Sequence, residues 1–112
     1  MRKESIEIER SSGNVFADLG LPGADAHMLK AEIVAQIDKV IRERRLKQVE
    51  AARLLGLSQP DVSRLLRGNF REYSLERLLR LLARLGHDVD IVIRDVNSKR
   101  TGRLRVAAQG TA

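Results

Sequence analysis

Apolar positions along this chain follow two periods, and each period predicts one type of secondary structure. Between about residues 25 and 44 they recur every three or four positions, which predicts an amphipathic helix. Its apolar face consists of Leu29, Ile33, Ile37, Val40 and Ile41. Apolar and polar residues alternate instead at residues 5–9 (SIEIE) and 88–94 (DVDIVIR), which predicts strands with one buried face. The chain is therefore expected to be mainly α, with a short strand near each end.

Residues 47–68 (KQVEAARLLGLSQPDVSRLLRG) contain two short helical patterns separated by a glycine. The first pattern, residues 48–55, predicts a two-turn helix. Its inward residues are expected to be Val49, Ala52 and Leu55. Gly56 stands just past the helix end, where a left-handed backbone is cheap only for glycine. Leu57 is expected to fill the core within the turn.

The second pattern begins with unusual residues for a packing helix. Ser58 is expected to cap this helix, with Asp61 three positions later completing a shortened capping box. Pro60 falls in the first turn, where its missing N–H costs nothing, and Gly68 ends the helix. Its inward residues are Val62, Leu65 and Leu66. Two short helices, a tight glycine turn and an apolar plug predict a helix-turn-helix, and the alternative is an αα-corner in a small bundle.

A further helix is predicted after this motif, with Ser74 as its cap and Gly86 as its end. Its buried stripe consists of Leu75, Leu78, Leu79, Leu82 and Leu85. Leu81 lies partly off that stripe and adds apolar surface. The strand at residues 88–94 needs a pairing partner, either residues 5–9 or a second subunit, and we favour a two-fold dimer. The predicted dimerisation residues are Leu81, Leu85, Val89, Ile91 and Ile93.

Composition restricts the class of protein. A chain of 112 residues with 43% apolar and 32% charged residues is expected to form one globular domain. It has two Phe, one Tyr and no Trp, so its core must be aliphatic. Without cysteine it has neither disulfides nor thiolate metal sites. No apolar run is long enough for a membrane span or a signal peptide, so a cytoplasmic, nucleoid-associated protein without membrane contact is expected.

The net charge of +6 is distributed unevenly along the chain. Residues 42–71 carry +5 and residues 94–112 carry +4, whereas the remaining segments are slightly acidic. Segregated positive charge favours a polyanionic partner, and the alternative is a solvated arginine-rich surface.

These features together predict a DNA surface, because the second helix of a helix-turn-helix points its N-terminal end into the major groove. Glutamine can bond an adenine edge, arginine a guanine edge, and serine a base or a phosphate, whereas the Pro60 ring can only touch a thymine methyl. Lys47 and Arg67 are expected at phosphates. The predicted DNA-binding residues are Lys47, Gln48, Ser58, Gln59, Pro60, Ser63, Arg64, Arg67 and Asn69.

The motif resembles the helix-turn-helix of the Xre/phage-repressor family, in which a glutamine opens each of the two helices. Gln48 and Gln59, eleven residues apart, match that pair. The resemblance implies that Gln48 contacts a phosphate and braces Gln59, and that Gln59 and Arg64 read bases. It also implies a lambda-repressor-like bundle of four to five helices. Pro60 departs from the polar residue often found there, which implies fewer direct base contacts.

Over residues 12–94 the chain also resembles HigA-type antitoxins of toxin–antitoxin operons. The residues that carry this resemblance are NVFADLGLP before the first helix and LARLGHDVDIVIR at the end of the last. It implies a repressor of its own operon that neutralises a RelE/HigB-like mRNA-cleaving toxin. The predicted toxin contact is the apolar cluster Val15, Phe16 and Leu19 in the glycine-rich arm at residues 11–24. The alternative is that this cluster covers the protein's own first helix.

The predicted organisation has three parts: a strand and irregular arm at residues 1–24, the DNA-binding domain with its dimerisation strand at 25–94, and a basic, disordered tail at 95–112. The tail either attracts phosphate or only aids solubility.

Catalytic chemistry has little support in the sequence. His27 and His87 belong to no metal-spaced cluster, and Asp88 and Asp90 fit protection of a strand edge. No cofactor, metal or enzymatic activity is therefore expected. Besides the antitoxin, two other hypotheses are open: a stand-alone Xre-type regulator without a toxin, and an interaction module that has lost DNA binding.

Overall fold

A computed structural model describes residues 23–97, 99 and 101–108, and its helices form a small bundle. The four helices of this part of the chain are α1 (Gly23–Glu43), α2 (Gln48–Leu55), α3 (Gln59–Leu66) and α4 (Leu75–Arg84). The mainly α architecture is therefore confirmed, with four helices and no fifth among the described residues. The predicted strand at 5–9 and the proposed toxin contacts Val15, Phe16 and Leu19 lie outside the described residues. None of the described helices combines the length and apolarity that crossing a membrane requires.

The core lies where α1 packs on α4 and α2 packs on α3. As predicted, the apolar stripe of α1 faces inward: Ile37 is fully buried, and Leu29 at its N-terminal end is half-buried. Four side chains from four different helices have no exposed surface: Ile37, Ala51, Val62 and Leu78. A shared aliphatic core thus holds both helices of the predicted helix-turn-helix against α1 and α4.

Three predictions about the core were wrong. Val49, expected inside, is 46% exposed, and Ala51 is fully buried in its place. Small alanines at this position let α2 approach its neighbours closely. Leu81, expected partly outside the stripe, is 4% exposed because the wide apolar face of α4 meets both α1 and α2. Phe70 lies in residues 67–73 (RGNFREY), whose polar and basic composition predicts an exposed stretch, but it is buried and stacks on the His27 ring with centroids 5.0 Å apart.

The predicted ends of the helices are confirmed by their backbone geometry. Ser58 and Ser74 cap α3 and α4. Each hydroxyl accepts a hydrogen bond from the backbone N–H of the residue three positions later. Gly56 adopts φ 71° and ψ 30°, the left-handed conformation expected past the end of α2. After α1 this conformation falls on Arg45, with φ 54°, which the sequence does not signal.

The predicted strand at residues 88–94 is not a strand in the described chain. Val89 and Ile91 are half-buried, as the alternation requires, but among residues 23–97, 99 and 101–108 no neighbouring strand completes a ladder. Val92 and Ile93 are 49% and 59% exposed. An alternating pattern determines which face of an extended segment is apolar, whereas a strand also requires a partner.

We refer to residues 87–108 as the C-terminal arm. Residues 95–112 within and beyond this arm were expected to be a disordered tail. In the described part, Val106 contacts the helical core. The Val106 N–H donates a 2.8 Å hydrogen bond to the Glu32 carboxylate, and its side chain packs half-buried against the core. Arg103 and Arg105 on either side of Leu104 are exposed.

Candidate nucleic-acid interface

The turn between α2 and α3 is fixed by local hydrogen bonds. The Leu57 N–H donates to the Ala52 carbonyl at 3.0 Å, which closes the end of α2 around Gly56. The guanidinium of Arg84 reaches across from α4, and its Nε donates to the Leu54 carbonyl at 2.9 Å. The negative end of the α2 dipole also stabilises a cation at this position. The turn that joins α2 to α3 is thus held by hydrogen bonds from within the turn and from Arg84 of α4.

The first turn of α3 is firmly closed, as a helix that presents its tip to a ligand requires. The Ser58 hydroxyl accepts the Asp61 N–H at 3.2 Å, and Pro60 occupies the first turn. The sequence predicted that Asp61 would complete a capping box with Ser58, but its carboxylate has another partner. Its carboxylate accepts a hydrogen bond from Arg64 Nη1 at 2.7 Å, so the serine alone caps the helix.

The outer face of α3 is open, whereas its inner face is packed. Val62 and Leu65 have no exposed surface, and Ser63 is half-buried beside them. The predicted DNA-binding residues that are exposed on α3 and its flanks are Ser58, Gln59, Pro60, Arg64, Arg67 and Asn69. Apart from the half-buried Ser63, the predicted DNA-binding residues of this helix and its flanks are thus solvent-accessible, and two of them are arginines.

The start of α2 contributes the other two predicted contacts. The Lys47 N–H donates to the Glu50 carboxylate at 2.9 Å, which closes the first turn of α2. The side chains of Lys47 and Gln48 are exposed. An ammonium and an amide thus stand at the positive end of the α2 dipole, where an anion is favoured.

The predicted dimerisation residues fall into two groups. Leu81 and Leu85 belong to the core of the single chain, and the Leu85 carbonyl accepts a 2.7 Å hydrogen bond from Arg44 Nη1. Their side chains are therefore not available to a second copy. Ile93 is exposed, and sequence reasoning missed its exposed neighbour Val92 because a strand would have turned that residue to the polar face.

The described residues show no arrangement suited to metal binding. No group of three or more His, Cys, Asp or Glu side chains comes together among them. His87 and Asp88 are exposed, and Asp90 lies on the exposed side of the arm.

Two short helices joined by a tight glycine turn, with a capped second helix whose outer side exposes Arg64 and, at its end, Arg67, define a helix-turn-helix DNA-binding domain. Comparison with known proteins agrees: a family model described as a helix-turn-helix domain matches residues 15–94. The chain belongs to this helix-turn-helix family.

A solved structure of a protein assigned by name to the XRE family of transcriptional regulators is similar to this chain. The two chains are 36% identical with a TM-score of 0.70, over 80% of this chain and 100% of the other. Comparison with curated proteins yields no significant match. The expectation of a DNA-binding regulator of Xre type is thus supported at the level of family and fold.

Proposed function

We propose that the protein is a sequence-specific transcriptional repressor that binds a palindromic operator as a homodimer and acts as the antitoxin of a toxin–antitoxin pair. The observation that carries the DNA-binding part is the open outer face of α3 over a fully packed inner face. A helix used only for packing has no reason to combine a serine cap, a first-turn proline and two exposed arginines on one surface.

Within this surface the residues have different roles. Gln59 at the first position of α3 and Arg64 one turn and a half further read base edges, adenine and guanine respectively. Arg67 after the helix and Lys47 before α2 neutralise phosphates, which position the domain but carry no sequence information. Base reading thus depends on α3, whereas Lys47 before α2 and Arg67 after α3 contribute salt-dependent affinity.

The dimer is supported by the exposed apolar part of the C-terminal arm. Val92 and Ile93 are adjacent, both about half exposed, on an extended segment without a described neighbouring strand. Pairing of residues 88–94 with the same segment of a second copy would complete the ladder and place Val92 and Ile93, on opposite faces, beside side chains of the partner segment. Two recognition helices about 34 Å apart would then match one turn of B-DNA.

The antitoxin role is supported by the resemblance of residues 12–94 to HigA-type proteins. Its partner would be a small RelE/HigB-like toxin contacted through Val15, Phe16 and Leu19. The test is co-purification with the product of the neighbouring gene. A Phe16→Ala variant that still bound DNA but no longer retained this product would support the role, and loss of both would point to misfolding.

DNA binding is tested by fluorescence anisotropy with the protein's own promoter at several salt concentrations. We expect Gln59→Ala and Arg64→Ala each to cost about 1–3 kcal/mol on the best site and to relax its sequence preference. Lys47→Ala and Arg67→Ala should weaken binding to all duplexes alike and flatten the salt dependence. An Arg64→Ala variant with an unchanged ranking of sites would refute the base-reading assignment, and affinity indifferent to sequence would favour the interaction module.

The stand-alone regulator is the second candidate, and the similarity to an XRE-family transcriptional regulator favours it. It shares the DNA surface and the dimer with the first proposal and differs only in the toxin. Normal operator binding without retention of the neighbouring gene product would support it.

A further inference from the structure

Asp61 lies beside the predicted DNA-binding residues of α3, and its carboxylate bonds Arg64 instead of completing the expected capping box. It is an acid in the first turn of α3, within the segment of residues 42–71 that carries a net charge of +5. The described hydrogen bond of its carboxylate goes to Arg64, and the cap of α3 is the Ser58 hydroxyl, which accepts the Asp61 backbone N–H. A carboxylate facing a polyanion is unfavourable in itself, so its presence on this surface calls for a function.

The carboxylate of Asp61 holds the guanidinium of Arg64. Arg64 Nη1 and Asp61 Oδ1 are 2.7 Å apart, and the two side chains are 56% and 47% exposed. The contact is therefore accessible from outside while it is formed. Because Nη1 is occupied, the parallel N–H donors of Nε and Nη2 are the edge left for a ligand, and two parallel donors match guanine O6 and N7.

We propose that Asp61 is a specificity-determining residue that keeps Arg64 on a guanine edge and off phosphates; this inference rests on the proposed DNA-binding function. On a site with guanine, the guanidinium bonds the base and the carboxylate at once. On a site without it, Arg64 gains a phosphate only by leaving Asp61, and the carboxylate then faces the backbone unpaired. Asp61 thus penalises wrong sequences more than the right one.

The experiment compares the full-length protein with Asp61→Asn, Asp61→Glu and Glu43→Gln. Glu43 in the last turn of α1 is exposed and lines a groove with α4 and the C-terminal arm, so its variant makes the same charge change away from α3. Affinities are measured on the operator, on operators with each base pair replaced, and on unrelated duplex, at several salt concentrations. Thermal unfolding confirms that each variant is folded.

We expect Asp61→Asn to bind unrelated duplex about two- to five-fold more tightly, the change that corresponds to an exposed ion pair. The slope of log affinity against log salt should steepen by about 0.9, because Arg64 becomes free for one more phosphate. Discrimination should fall at the base pair whose preference Arg64→Ala abolishes. Asp61→Glu should retain that discrimination, and Glu43→Gln should leave it unchanged.

A double-mutant cycle separates positioning from simple charge. In an Arg64→Ala background, Asp61→Asn should no longer alter the ranking of base pairs, since its effect acts through the guanidinium. If Asp61→Asn keeps the full ranking while the wild-type protein is selective, the inference is overturned and the repressor function stands. If the wild-type protein shows no sequence preference, the proposed function falls and this inference falls with it.

Discussion

The helix-turn-helix (α2, the turn and α3) and the C-terminal arm (residues 87–108) contrast in how their structure is determined. In the first, every boundary has a local cause: a serine cap, a left-handed glycine and bonds between residues three to five positions apart. In the second, an equally regular sequence pattern yields an extended segment without a ladder. Local signals suffice for helices because their hydrogen bonds lie within the segment, whereas a strand depends on a distant partner.

The largest effect on stability is expected from truncating a leucine in each region and comparing the free energies of unfolding. Leu65 of α3 has no exposed surface, whereas Leu104 of the arm is 51% exposed. We expect Leu65→Ala to lower the free energy of unfolding by about 2–5 kcal/mol, because it leaves a cavity between α3 and its neighbours. Leu104→Ala should change it by no more than about 0.5 kcal/mol. Urea unfolding measures both, and comparable losses would show that the arm is part of the cooperative core.

Sequence patterns predicted the fold well where the local residue type and spacing determine the structure. The bounds of α2 and the caps at Ser58 and Ser74 follow from residue type and spacing alone. Phe70 and Arg45 could not be predicted in this way. Phe70 is buried because the N-terminal part of α1 passes over it, and Arg45 is left-handed because the chain must turn from α1 into α2. Both depend on how separate elements meet.

A second comparison uses a methyl group added to a glycine in each region. Gly56 has φ 71°, and a β-carbon there would lie 3.0 Å from Arg84 Nη2. Gly102 in the arm has no left-handed backbone, and its nearest contact would be Val96 Cγ2 at 3.9 Å. Gly56→Ala should cost about 1–2 kcal/mol of unfolding free energy from the backbone conformation. Gly102→Ala should be neutral or slightly stabilising, and an equal loss at both glycines would contradict the assignment of the turn.

A smaller effect is expected at the cap of α3. Ser58→Ala removes the acceptor of the Asp61 N–H and should cost about 1 kcal/mol. Ser58→Gly should cost only a few tenths, since glycine also suits the N-cap. Because the cap fixes the helix tip, we expect weaker operator binding in parallel with the loss of stability. Thermal unfolding and anisotropy on the same samples would separate the two, and an unaffected Ser58→Ala variant would show that Pro60 alone suffices to start the helix.

The candidate site was predictable to the level of which face of α3 is exposed, and no further. Spacing placed Gln59, Arg64 and Arg67 on the outer face, and all three are exposed. The pairing of Arg64 with Asp61 was missed because an acid three positions after a serine also fits a capping box. Residue type and spacing were the same for both roles, and only side-chain geometry distinguishes them.

The smallest effect concerns the hydrogen bond between Val106, near the end of the arm, and Glu32 of α1. Glu32→Ala removes the acceptor of the Val106 N–H, a 2.8 Å bond between residues 74 positions apart. Because the arm stays half exposed, the free energy of unfolding should fall by no more than about 0.5 kcal/mol, the lower end of the range for a hydrogen bond. The local effect should be larger: amide exchange at Val106 should accelerate, while amides of α2 and α3 keep their protection. Glu43→Ala, which removes another α1 carboxylate, is the matched control. If amide exchange at Val106 in the wild-type protein is already as fast as at Ala107, this contact does not order the arm. The contrast with the helix-turn-helix would then extend over the whole described length of the arm.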